Sequence, residues 1–196
     1  MRKYTQLFAL AIIAAFATAF AGTASANIVT ASPSGAITAT SSGKVTFSGG
    51  ELAIECRVTL RGSINSTIDN SAGGNVGSIT GGSANECGFL LSATLLFGVA
   101  WGMEMSEEAR LGVSPKLVGI NMVGTRFLVS IFGVQCLYEG TVPTWLEGEG
   151  SPVVTRRVRI LANSTSYVSG AGSPEPCAEY YELAGSFDIT TQTLRL

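Results

Sequence analysis

The chain has 196 residues, with 12 Lys and Arg against 14 Asp and Glu, four Cys and no His. Without His, no Ser-His-Asp or Cys-His nucleophile, no histidine zinc site and no haem on a proximal His can be assembled. A net charge of −2 gives no electrostatic footprint for a nucleic-acid partner, and no residue pattern calls for a cofactor.

Residues 1–26 read as a secretory signal peptide. Arg2 and Lys3 form the basic start, and Leu7 to Ala21 is apolar except for Thr18. Ala24-Ser25-Ala26 supplies the small-x-small cleavage pattern, which leaves Asn27 first. The apolar stretch is shorter than the roughly 20 residues that span a bilayer, so no transmembrane span is expected after its removal. Residues 27–196 then have the length of a single domain, and their abundance of Gly, Ser and Thr predicts an all-β one. The product is expected outside a bacterial cytoplasm, secreted, extracellular or on the cell surface.

Two short strands fit Ala36–Thr40 and Lys44–Phe47. From Glu51 to Ile64 the pattern alternates: Leu52, Ile54, Cys56, Val58, Leu60 and Ile64 share one face, and charges of both signs take the other. Period two with charges outside predicts a strand with one buried face, which points Cys56 inward. A short strand is expected at Val76–Thr80 and a turn cluster at Gly81–Asn85. Gly88–Met105 is the most apolar run; we expect one central strand with Leu95, Phe97, Val99, Trp101 and Met103 on its covered face. Ser106–Leu111 is the one candidate helical turn, with Ser106 as cap.

Leu117–Val123 and Thr125–Glu139 read as a hairpin broken at Gly124, with Leu128, Phe132, Val134, Cys136 and Tyr138 on the same inner face. Thr141–Pro152 reads as a loop holding Trp145, Val153–Ala162 as a strand carrying Arg156, Arg157 and Arg159, and Ser164–Pro176 as a loop leading to Cys177. Tyr180–Leu196 reads as one long strand or a bent pair, with Tyr181, Leu183, Phe187 and Ile189 in phase. About nine strands and no long helix predict a single antiparallel β-sandwich or flattened barrel.

Cys56, Cys87, Cys136 and Cys177 are too widely spaced for a redox or zinc pair, and in an exported chain they predict disulfides. Of the three possible pairings we expect Cys56–Cys87 and Cys136–Cys177. Each joins an inward-facing strand Cys to one preceded by a turn-rich segment. The arginine cluster is either an anion grip or, more simply, a charged strand whose side chains block edge pairing. Trp145 is a candidate surface for stacking, with Arg157 and Arg159 beside it, against the plainer alternative of a ring folded back over the core. The acid pairs Glu107/Glu108 and Glu147/Glu149 lack calcium-loop spacing, so no metal is expected.

Several short elements in order carry a resemblance: Ser32-Pro33-Ser34-Gly35-Ala36-Ile37, Gly43-Lys44-Val45-Thr46-Phe47, the segment Ile54 to Ile64, Gly77-Ser78-Ile79-Thr80, Gly98-Val99-Ala100-Trp101, Cys136-Leu137-Tyr138-Glu139-Gly140 and Gly185-Ser186-Phe187-Asp188-Ile189-Thr190. This order resembles small exported Gly/Ser/Thr-rich bacterial proteins, among them the alkane-oxidation activator (biofilm adhesin) type and uncharacterised secreted actinobacterial proteins. Where Leu-Pro-Trp is expected in that type, this chain has Val99-Ala100-Trp101. The resemblance implies an extracellular β-protein with a matrix or adhesive role, and it carries over no catalytic or binding residue.

The leading expectation is an exported non-enzymatic β-domain acting as an adhesive, envelope or extracellular-matrix component. Its partners would be other copies of itself or cell-surface and matrix material. The alternative is a secreted small-ligand or carbohydrate-binding sandwich with a cleft near Trp145 and the arginine strand.

Overall fold

A computed structural model describes residues 28–31, 34–49, 52–69, 71–106, 116–149, 154–160, 165–166, 177, 181–190 and 194–195. The signal-peptide reading of residues 1–26, the helical turn expected after Ser106 and nearly all of the 164–176 loop lie outside the described residues.

The strands are β1 (Ile28–Thr30), β2 (Gly35–Ser41), β3 (Val45–Gly49), β4 (Leu52–Ile64), β5 (Thr67–Asp69), β6 (Asn75–Asn85), β7 (Leu91–Leu95), β8 (Trp101–Met105), β9 (Lys116–Ile131), β10 (Val134–Glu149), β11 (Val154–Ile160), β12 (Thr165–Ser166), β13 (Tyr181–Ile189) and β14 (Leu194–Arg195). All their pairings are antiparallel. β2 and β3 both pair with β4 on one side and β13 on the other, so they form one interrupted stave. In the same way β7 and β8 share β9 as neighbour, and β13 and β14 share β11. Eight staves result, each bonded to the next in chain order, and β13 closes the ring by pairing with both β11 and β2.

The sequence allowed a sandwich or a flattened barrel. The pairing shows an up-and-down barrel, which leaves its staves no free edges. A separate ribbon of β1 and β5 packs Ile68 and Ala31 against one end.

Alternation builds the wall. On β4, Ile54, Cys56, Val58 and Leu60 are buried while Ala53, Glu55, Arg57 and Arg61 are exposed. Tyr181, Leu183, Phe187 and Ile189 of β13 are likewise buried in phase. The polarity, apolar inside and charged outside, is the reverse of a barrel that crosses a membrane with strands. In an eight-stranded barrel the interior is just wide enough for side chains to fill. Here a row of rings runs through it, Phe47 to Phe127 to Tyr138 at centroid spacings of 5.5 Å, then Tyr181 at 4.4 Å.

Several expectations need correction. Gly81–Asn85 is not a turn but the second half of β6, paired with Arg57–Arg61. The apolar run is not one strand: residues 96–100 leave the wall between β7 and β8, and Val99 is exposed. Trp101 remains buried, its ring nitrogen donating to the Leu96 carbonyl at 3.0 Å. Gly124 does not end a strand; it takes a φ of 67° at a bulge within β9, opposite the register shift between Gly140 and Val142. The hairpin turn lies instead at Phe132-Gly133, so Phe132 is exposed and Leu128 falls on the outer side between buried Phe127 and Val129, while Cys136 and Tyr138 do face inward. Thr141 to Glu149 is strand, not loop.

Candidate functional site

Cys56 bridges Cys87, and Cys136 bridges Cys177. Cys56 and Cys136 are fully buried on the inner face of β4 and β10. Both bridges sit near the same end of the barrel, where the β6–β7 connection and the β9–β10 turn emerge.

Trp145 and the arginines are neighbours, but not as a cleft. Trp145 is on the outer side of β10 and only 9% exposed. Its ring covers Gly119, where an added Cβ would stand 3.1 Å from Cζ3. Register places Arg159 beside Trp145 and Arg157 beside Glu147. Arg157 reaches Asp188 at 3.4 Å, both side chains about half exposed. Because β11 has β10 on one side and β13 on the other, its arginines do not guard an edge. Arg157 and Arg159 are exposed on the outer wall. Arg156 is not described beyond its place in β11.

The barrel interior holds a cavity of about 40 Å³ toward the end away from the disulfides, lined by Leu60, Met103, Met122, Thr144, Phe187 and other apolar side chains. The Thr144 hydroxyl donates to the Ile120 carbonyl at 2.7 Å, so the cavity has apolar character and suits no polar ligand. Among the described residues, no group of three or more His, Cys, Asp or Glu is placed to hold a metal ion.

A different site emerges at the disulfide end. Five large hydrophobic side chains stand exposed among the described residues, and three of them cluster here: Phe89 at 87%, Leu90 at 59% and Phe132 at 71%. The Phe132 amide donates to the Leu90 carbonyl at 3.3 Å, which ties the two connections together. Among the described residues, Glu86, Leu90 and Phe132 are also the non-glycine residues with positive φ, at 55°, 57° and 49°. For a residue with a Cβ, the left-handed region costs roughly 1–2 kcal/mol. Cys87 anchors the loop through its bridge to β4, and Glu86 pairs with Arg57 at 2.9 Å. The outcome is an apolar tip on a fixed base.

Sequence reasoning missed this tip because it counted Phe89 and Phe132 as strand interior. A signal was present: Phe132-Gly133 sits between alternating segments at two-residue hairpin spacing, but the first position lacks the Asn or Gly that marks such a turn.

Fold and site together define a closed, disulfide-stapled antiparallel barrel with an apolar interior and an apolar tip. The chain belongs to the family described as alkane oxidation protein activator PraA/PraB-like, whose model matches residues 1–149, through the end of β10. No curated protein and no solved structure matches it. Among the described residues, no helix is long and apolar enough to cross a membrane.

Proposed function

We propose that the protein is exported, has no catalytic role, and acts through its surface as an adhesive, envelope or extracellular-matrix component. The observation that carries this reading is the apolar tip of Phe89, Leu90 and Phe132, displayed on a barrel whose apolar interior is otherwise closed off from water. The absence of His and the signal-like first 26 residues support it. The family's description names an activator of alkane oxidation, and a surface role without catalysis is compatible with that word.

Fractionation of the native host tests the reading. We expect the chain without its first 26 residues in the cell-surface or matrix fraction. Full-length protein in the cytoplasm would contradict it.

A second reading, a binder of a small ligand, draws on the interior cavity near Met103 and Met122. At about 40 Å³ that cavity is well below the roughly 150 Å³ that holds a benzene-sized apolar molecule, so this reading has less support than the first. A sugar stacked on Trp145 has less support, because that ring is buried.

A further inference from the structure

The tip breaks a local rule. A two-residue hairpin loop with positive φ at both positions is served best by Asn-Gly, yet this one is Phe132-Gly133, with φ of 49° and 88°. Leu90, at φ 57°, occupies a second position where Gly or Asn would be less strained. Both side chains are then held in water instead of being buried. A sequence that accepts backbone strain and apolar exposure at the same two neighbouring positions retains those side chains for contact with something else.

The size of the tip limits what that contact is. Two Phe and one Leu offer on the order of 400–500 Å², whereas a stable protein partner covers roughly 800 Å² per side. A projecting point of three side chains is too small to hold a second copy, and a fluid apolar phase needs no matching surface. The base of the tip carries the Arg57–Glu86 ion pair, 57% and 66% exposed. That pair is net neutral and polar, suited to the headgroup level above an apolar insertion. Farther from the tip the wall bears Arg61, Arg126 and Glu139, which bars the barrel from following the tip inward.

We propose that Phe89, Leu90 and Phe132 form a docking site for an uncharged or zwitterionic lipid bilayer, inserting only the tip while the barrel stays in water. The proposal rests on the surface-acting reading above and names the surface.

The test uses the oxidised protein as isolated from its host and phosphatidylcholine vesicles, with co-sedimentation at 0.1 M and 1 M salt. Wild type should bind equally at both salt concentrations. The double variant Leu90→Asn/Phe132→Asn should partition about 100-fold more weakly, on roughly tenfold per large apolar side chain. Its thermal midpoint should hold or rise, since Asn tolerates left-handed backbone, so lost binding is not lost folding. Absence of wild-type binding, equal binding by the variant, or binding abolished by 1 M salt would overturn the proposal. If wild type instead self-associates in solution and the variant does not, the tip is an interface between copies; the lipid proposal falls and the surface-acting reading stands. Full-length protein retained in the host cytoplasm would remove the reading beneath it.

Discussion

Tyr138 and Tyr181 meet inside the barrel with ring centroids 4.4 Å apart and planes inclined by 44°, linking β10 to β13 at the level where β12 pairs with Tyr181. With Phe47 and Phe127 they fill the interior beneath the disulfides. Tyr138 has no exposed surface, and its replacement would leave a void that its strand neighbours cannot collapse into. Tyr138→Ala should therefore cost about 3–5 kcal/mol, read as a shift in the urea midpoint.

Burial raises the pKa of the Tyr181 hydroxyl above its ordinary value of 10.0. The unfolded chain then loses this proton first as pH rises. Stability from this group is whole below pH 10 and declines as pH climbs from there through the folded-state value. Tyr181→Phe should flatten the alkaline limb of the stability profile relative to wild type, with little difference at pH 7. Matching alkaline limbs in the two proteins would contradict this.

The two bridges span 31 and 41 residues, for which the chain-entropy model gives about 4 kcal/mol each. Because both lie near one end, reduction should loosen that end first. Hydrogen exchange should rise at Leu91–Leu95 and Val134–Tyr138 before the far half of β4 responds. Oxidised protein should stay soluble and reduced protein should aggregate, as uncharged β-forming segments such as Leu91–Leu95 become exposed. Non-reducing peptide mapping should return Cys56–Cys87 and Cys136–Cys177, and a Cys56–Cys136 peptide would refute the pairing.

Gly62 stands at a register shift between β4 and β6, where an added Cβ would collide with the Ser78 carbonyl oxygen. Gly81, on the facing strand, has open space around the same position. Gly62→Ala should cost about 1–3 kcal/mol through forced backbone displacement. Gly81→Ala should be near neutral or slightly stabilising. Thermal melts of the two variants make the comparison.

Where a segment had strict alternation, its sequence was enough to place it. Ile54, Cys56, Val58 and Leu60, and again Tyr181, Leu183, Phe187 and Ile189, face inward as their phase requires. The disulfide pairing drew on the same phase, which pointed Cys56 and Cys136 at the core, and on the turn-rich segments before Cys87 and Cys177. Glycine caused the misreadings. Gly124 and the Gly81–Gly82 pair carry turn chemistry, yet a bulge and a closely packed strand pair absorb them within β9 and β6. Trp145 and Pro143 suggested a loop, but pairing with Gly119 and Asn121 holds them in β10. Barrel closure was not legible, because it depends on β13 meeting β2 across nearly the whole chain, a contact that no local pattern encodes. The tip stayed hidden for a related reason: Phe89 and Phe132 look like core by composition and are outside it only by backbone geometry.

Action at a surface through the tip can be measured in the native host by comparing wild type with Leu90→Asn/Phe132→Asn after fractionation. Wild type should be retained on the cell surface or in the matrix, and the variant, equally folded and bridged, should be released free into the medium. Equal retention of both proteins would contradict it.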